Sequence, residues 1–550
     1  MLGHAVGVAR QRAMGMMLVH HVSRAIVATG RYDRAAMSAN TRWRMPVQKA
    51  AVVGTGAPTI YLEGDVVLND ATLAPAVVWL LALALASLTV RRWAGPWSRS
   101  HPVLAIAAAA AMARAVPMVV LDRGLPFDIE AHWWIGSLAL AGRDVYTDPL
   151  AHGRYPYPPF LHEYLSALLV WLSRGDRGHF LVFDKLAPAL CGIAIAVVVR
   201  AIAGRLGRSP EQAVHLGLLY AVNPLPVLVT AYHGQFEEIP VLGIALALFL
   251  LLLSRLDRRV GVGAASLSAL ALGLAVAYKT WPLLVLPPLL MLIPRRDMRW
   301  ERGGALIELV GSWALYSALT LTPLAITMSL YEQAVAHTSL LARVHQALTT
   351  TGTLTHRLAH DHMLYNVLQY KGAQGFCWGY VALAHACWLH SARARPHPGI
   401  VALNGDLLRI ALVVVVLALL WRRRPLEGLA ALPLAFYLFS PGWGPNYTIW
   451  VLPFLLVYEP ALCARYTVVM LPLVALTYLD SLYAAFNHDN VSWMVLKPVE
   501  AALGVVAWLG VGVVLAQVYG AGRRRGDAPV PVIGHERSHA QEPMVQPVCR

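Results

Sequence analysis

The sequence predicts an all-α polytopic membrane protein, and three observations carry that expectation. Hydrophobic residues make up 57% of the 550 and charged residues only 14%, with a mean hydropathy of +0.54, outside the range of soluble globular domains. Apolar runs of spanning length recur between positions 73 and 517, too many for a signal peptide or a single anchor. Basic residues stand in short clusters between those runs, at 91–92, 255–259, 295–302, 422–424 and 523–525. That distribution obeys the positive-inside rule, whereas a nucleic-acid surface would need a continuous stripe. The formal charge of +15 therefore points to membrane lipids as partners and not to nucleic acid. Five cysteines without a CxxC pair indicate neither a zinc site nor a disulfide framework. At roughly twenty residues per span, the chain has room for about 12–13 helices.

Taken in order, residues 1–65 form a basic N-terminal stretch with eight basic residues and one acid in the first fifty, read as a flexible extension or an upstream start. The transmembrane domain is expected over 66–520. Runs at 73–90 and 102–121 are its first two spans, and with Arg91, Arg92 and Arg99 inside, the loop that follows lies outside. Segment 158–172 is short for about 30 Å of hydrocarbon and contains His162 and Glu163, so it reads as an interfacial helix with both ends outside. Spans then follow at 179–203, 213–230, 239–253, 261–278, 283–293 and 303–326. A polar outer region at 331–400 carries eight of the 21 histidines; within it, His356 and His360 with Asp361 and His362 have passable metal-ligand spacing, though an acceptor-binding loop is the preferred reading. Segment 376–390 is taken as interfacial, since a crossing there would put Arg422 to Arg424 outside. Runs at 402–420, 426–439, 448–458, 467–485 and 496–519 complete the bundle, and 521–550 reads as a disordered cytoplasmic tail.

One stretch is out of keeping with this pattern. The loop at 122–160 and its flanks hold six carboxylates (Asp122, Asp128, Glu130, Asp144, Asp148 and Glu163) among aromatics and prolines. If Asp128 opens a helix, Asp128 and His132 share one face at i and i+4, with Trp133 and Trp134 beside them. Indoles next to acids suit a sugar, whose C–H face stacks on rings while its hydroxyls bond to carboxylates. Tyr155-Pro-Tyr-Pro-Pro159 cannot be helical before its end and makes a rigid lead-in. Residue types alone fit an interfacial anchoring belt as well as they fit such a site.

Three short sequences in order resemble the first outer loop of the GT-C superfamily of integral-membrane glycosyltransferases: Asp-x-Glu-Ala-x-x-Trp at 128–134, Gly-Arg-Asp-Val-Tyr at 142–146 and Tyr-Pro-Tyr-Pro-Pro at 155–159. The nearest branches are the dolichyl-phosphate-glucose glucosyltransferases and the bacterial polyprenyl-phosphate-mannose mannosyltransferases. The resemblance implies that Asp128 is the catalytic base and that Glu130, His132, Trp133, Tyr155 and Tyr157 contact sugar or acceptor. The segment Ala-Tyr-His-Gly-Gln-Phe-Glu-Glu-Ile-Pro at 231–240 is similar to a His-containing helix end of the glucosyltransferase branch. It nominates His233 for the donor phosphate and Gln235, Glu237 and Glu238 as site residues, against an ordinary polar turn. Lys279-Thr-Trp-Pro282 resembles a Lys-x-x-Pro element, making Lys279 the lipid-phosphate contact or else a snorkelling cation. Ser440-Pro-Gly-Trp-Gly-Pro-Asn-Tyr447 resembles a further signature of the bacterial branch, and its Asn446 and Tyr447 would offer donors to an anion.

No soluble nucleotide-binding fold with a glycine fingerprint is apparent, so the expected donor is a polyprenyl-phosphate sugar delivered from the membrane. The acceptor would be a lipid or glycan. Neither cofactor nor metal is expected, since the resemblance is to metal-independent branches. The implied setting is a bacterial-type plasma membrane with the site on its extracytoplasmic face. A secondary transporter or lipid flippase is the alternative of a different class.

Overall fold

The computed structural model describes residues 73–93, 96–120, 127–148, 155–255, 258–293, 304–335, 339–349, 363–364, 367, 378–379, 410–418, 424–440, 444–484 and 490–524. All of them belong to one compact unit, Asp65–Arg550. Every regular element among the described residues is helical, so the protein is all-α. Among the described residues, seven helices are long and apolar enough to cross a membrane: Pro102–Val119, Arg177–Arg205, Pro210–Tyr232, Gly261–Tyr278, Ile307–Gln333, Pro460–Tyr478 and Val499–Ala521. Five shorter apolar helices accompany them, and the whole is a multi-pass membrane protein. The basic stretch 1–65, the tail beyond residue 524 and the quartet His356, His360, Asp361 and His362 lie outside the described residues, as does segment 376–390 apart from Trp378 and Gly379.

Helix α1 (Leu73–Trp93) turns Leu85 and Leu88 outward, the latter 79% exposed, as a lipid-facing surface requires. Helix α2 (Pro102–Ala115) starts with proline, whose missing N–H costs nothing at a helix start, and loosens into a π-helical turn over Val116–Val120. Helix α3 (Phe127–Leu140) carries Asp128 and Glu130 in its first turn, where carboxylates complement the unpaired N–H groups. Helix α4 (Leu161–Leu172) has 12 residues. At 1.5 Å per residue it reaches about 18 Å, against about 30 Å of hydrocarbon, in keeping with an interfacial position.

Helix α5 (Arg177–Arg205) is opened by Asp176, whose carboxylate accepts the His179 N–H at 2.7 Å. Helix α6 (Pro210–Ala221) begins with a reciprocal cap between Ser209 and Gln212. It stops where Pro224 and Pro226 remove donors and the Asn223 side chain takes the Leu225 N–H. The single span expected at 213–230 is thus a broken one, resuming as a π-helical turn over Val227–Tyr232 before a short loop. Helices α7 (Glu238–Ser254) and α8 (Arg258–Tyr278) follow, then a 3-10 turn over Trp281–Val285 and α9 (Leu286–Leu292). Beyond these come α10 (Gly304–Ala334), α11 (Leu340–Thr349), α12 (Pro425–Phe439), a 3-10 turn over Pro445–Ile449, α13 (Leu452–Tyr458), α14 (Pro460–Ala484) and α15 (Asn490–Arg524).

Helix α3 packs on α4; α5 lies against α2, α6 and α7; α7 meets α8, which meets α10; and α15 is flanked by α12 and α14. Lipid tails are as apolar as leucine, so these helices are held by close packing and interhelical hydrogen bonds more than by exclusion of water. Ser268 gives its hydroxyl proton to the Ala247 carbonyl at 2.7 Å, joining α8 to α7. Tyr458 and Trp508 donate to the carbonyls of Val518 and Leu438 and join α15 to α13 and α12. The site is built where these helices break or begin.

Candidate functional site

Proline and glycine end three helices early, and the side chains at those ends converge. The loop between the π-helical turn and α7 presents His233, Gln235 and Glu237. Gly234 within it adopts φ +93°, and a Cβ there would lie 2.2 Å from Cδ1 of Ile129 on α3. Only glycine permits both the left-handed turn and this approach. The approach brings His233 Nε2 to 3.1 Å from Oδ2 of Asp128 at the start of α3. Gln235 also hydrogen-bonds to Asp128, and the His233 ring stacks on Tyr478 of α14 at 3.9 Å.

Asp128 retains 38% side-chain exposure, so its carboxylate is both held and reachable. Burial pushes its carboxyl up, but the hydrogen bond from His233, the charges of His233 and His132 and the Gln235 bond outweigh it, leaving Asp128 below the usual carboxylate range. At neutral pH it is an ionised acceptor.

Lys279, just past α8, and Asn446, in the turn before α13, do not meet Asp128 directly. They meet Glu237, which is fully buried. Its Oε1 takes hydrogen bonds from Lys279 Nζ and, at 2.6 Å, from Asn446 Nδ2, while Oε2 takes one from Trp450 Nε1 at 2.8 Å. The structure thus pairs the lysine with Glu237. Its ammonium also lies 5.2 Å from the Tyr157 ring, 5.1 Å from Phe236 and 5.6 Å from Tyr447. Trp450 in turn stacks flat on Trp281 at 4.0 Å.

His132 lies between these groups, its Nδ1 3.0 Å from Oδ2 of the buried Asp184 on α5. Its ring is 4.9 Å from Phe236 and 4.8 Å from His162, and Tyr157 is 4.9 Å from His162, so one aromatic block links the Asp128 end to the Lys279 end. Burial and the nearby His132 and Lys279 charges lower the His162 pKa well below the usual histidine value, leaving it neutral.

Other expected site residues go elsewhere. Trp133 packs edge-on against Phe180 with the Arg177 guanidinium 5.9 Å above it, and the same guanidinium lies 5.9 Å from Trp134. Glu130 is buried and accepts the Trp134 indole proton at 3.4 Å. Tyr155, by contrast, adjoins the aromatic block: its ring is 5.6 Å from Tyr157 and 5.7 Å from His162, it packs edge-on against Tyr146, and its hydroxyl donates to the Pro158 carbonyl at 3.1 Å. Glu238 turns away from Glu237 into a sealed pair with Arg114, at 2.6 Å. Sequence reasoning did not nominate Asp184, His162 or Phe236. A charge inside an apolar helix is a functional signal by default, and Asp184 with Lys185 carries that signal.

The chain matches no family model and no curated protein. Among the described residues, no group of three or more His, Cys, Asp or Glu is placed to hold a metal ion.

Proposed function

We propose that the protein is an inverting glycosyltransferase of GT-C type. It would move a hexosyl unit, mannose foremost, or a pentosyl unit from a polyprenyl-phosphate sugar to a lipid-linked or envelope glycan acceptor on the outer face of the membrane. The observation that carries this reading is an ionised, part-exposed Asp128 held by His233 and Gln235, next to a lysine turn in the same cluster.

In the proposed reaction, the acceptor hydroxyl gives its proton to Asp128 as its oxygen attacks the anomeric carbon. The bond from that carbon to the phosphate oxygen breaks on the opposite face, and the electron pair leaves with the polyprenyl phosphate. His233 holds Asp128 in its basic form. The Lys279 and Asn446 end of the cluster offers N–H groups to the charge that grows on the phosphate.

Asp128→Asn keeps size and shape but cannot take the proton. Its turnover should fall by about 10²- to 10⁴-fold with insertion and folding retained. The assay is incubation of purified protein with a panel of polyprenyl-phosphate sugars and membrane extract, followed by mass analysis of the products; full activity of the variant removes the mechanism.

A transporter reading has one observation on its side, the buried charged pair between Arg114 in a spanning helix and Glu238 at the start of the shorter apolar helix α7. That pair is 1% and 0% exposed and is satisfied by neighbours on α6 and the π-helical turn, as a structural clamp would be. Vesicle uptake of a lipid-linked sugar that survives Asp128→Asn would favour transport.

A further inference from the structure

Three N–H donors from two turns, Lys279 Nζ from one and Asn446 Nδ2 and Trp450 Nε1 from the other, converge on a single carboxylate that the chain itself supplies. A cation, an amide proton and an indole proton aimed at two oxygens are the donor set of an anion seat, and a carboxylate stands in well for two oxygens of a phosphodiester. We propose that Glu237 is the resting occupant of that seat, and that the phosphodiester of an incoming lipid-linked donor takes Lys279 and Asn446 from it. This rests on the glycosyltransferase reading only for the identity of the ligand.

Three features support exchange over a permanent pair. Lys279 and Asn446 share Oε1, whereas Trp450 holds Oε2, so two donors can leave together while the carboxylate keeps a partner. Lys279 keeps 12% of its side chain exposed while Glu237 is fully buried, so of the two partners the lysine is the one nearer the open side. The rings of Tyr157, Phe236 and Tyr447 around Lys279 hold the ammonium in place when its partner changes. Glu237 then sets selectivity, because only a ligand that competes with a carboxylate gains the lysine.

The test is a binding measurement that needs no turnover. The probe is the methyl ester of farnesyl phosphate, a phosphodiester with one fixed negative charge, titrated calorimetrically into the full-length protein in detergent. Glu237→Gln keeps the shape but frees the charge of Lys279, and its affinity for the probe is expected to rise about ten-fold or more. Glu237→Asp retains the charge and is expected to gain nothing, and Lys279→Met is expected to lose binding. Unchanged or weaker binding by Glu237→Gln, or no binding by any form, overturns the proposal.

Because a variant of a buried residue can fail to fold, the wild-type protein supplies a second measurement. Electron cryomicroscopy with the same probe should show Lys279 on a phosphate oxygen and parted from Glu237; Lys279 still on Glu237 with probe bound elsewhere overturns the proposal. Inorganic phosphate should bind at least about ten-fold more weakly than the prenyl diester, and equal binding would overturn the assignment to a lipid-linked ligand. If the seat behaves as expected but no sugar is transferred, the enzyme reading fails while this one stands.

Discussion

Asp128 and His233 are 105 positions apart in the chain and 3.1 Å apart in space, and the chemistry of the site turns on that contact. A carboxylate next to an imidazole is favoured in its ionised form, so its depressed pKa leaves the base form in place until the pH drops through that lowered value. Removing the imidazole removes the largest of the lowering contributions. His233→Gln is therefore expected to raise the Asp128 pKa and move the acid limb of the rate profile to higher pH, measured as turnover against pH. An unmoved limb would show that His233 does not act on Asp128. Lys279 teaches the reverse lesson at the same scale. Its motif marked it as important, but the direction of its ammonium depends on Glu237, whose role no local pattern reveals.

At the scale of elements, α4 is the piece whose charge is least compatible with its surroundings. Glu163 lies in its first turn, and burial pushes its carboxyl up to about 7, partly relieved by the Phe160 N–H and reinforced by the nearby Asp144 charge. A carboxyl whose folded pKa is raised favours folding in its neutral form. That contribution is complete below the ordinary value of 4.5 and is lost as pH rises through about 7. Glu163→Gln should accordingly stabilise the protein above pH 7 and have little effect below 4.5, read as the shift in thermal unfolding against pH. The Arg114 clamp is the opposite case, a buried charge paired with a carboxylate on another element, with only its Nε left without a hydrogen bond. Its guanidinium joins Glu238 and the Ala221 carbonyl, while Tyr220 and Thr230 hydroxyls complete the carboxylate. It ties α2 to both sides of the broken helix that carries His233. Arg114→Met leaves a buried carboxylate without its cation and should cost about 3–5 kcal/mol of stability, measured by unfolding in detergent.

At the scale of the whole molecule, α5 sets the topology. Its 29 residues reach about 43 Å at 1.5 Å per residue, enough to cross a bilayer with room at both ends. Arg174→Cys and Arg205→Cys, each in a chain freed of its own cysteines, are expected to react with a membrane-impermeant maleimide from opposite sides. Arg174→Cys should react from the side that carries Asp128. Reaction from one side alone would show that α5 does not span.

The class of the fold was legible because hydropathy and the placement of arginines act locally. Each apolar run must be helical in lipid, since a backbone without water has to bond to itself. The shortness of α4 was legible for a similar reason, its apolar run being too small for the hydrocarbon. The break at Asn223–Pro226 was less so, because a run that contains proline still has the hydropathy of a span. Of the site, Asp128, His233, Gln235, Glu237, Lys279 and Asn446 were visible as motifs, and the structure places all six in one cluster. Trp133 and Tyr155 came with them in the same loop motifs, and their rings pack on Phe180 of α5 and on Tyr146, Tyr157 and His162, partners that no motif specifies.

By itself, the sequence determined that this chain is a helical multi-pass membrane protein and which short segments depart from that pattern, because both follow from composition within a few turns of chain. The tertiary structure alone decided that His233 serves Asp128, that His132 is held by Asp184, and that Lys279 and Asn446 close on Glu237. Those pairings join positions 42 to 209 residues apart, and buried charges select their partners by proximity in a medium that screens them poorly.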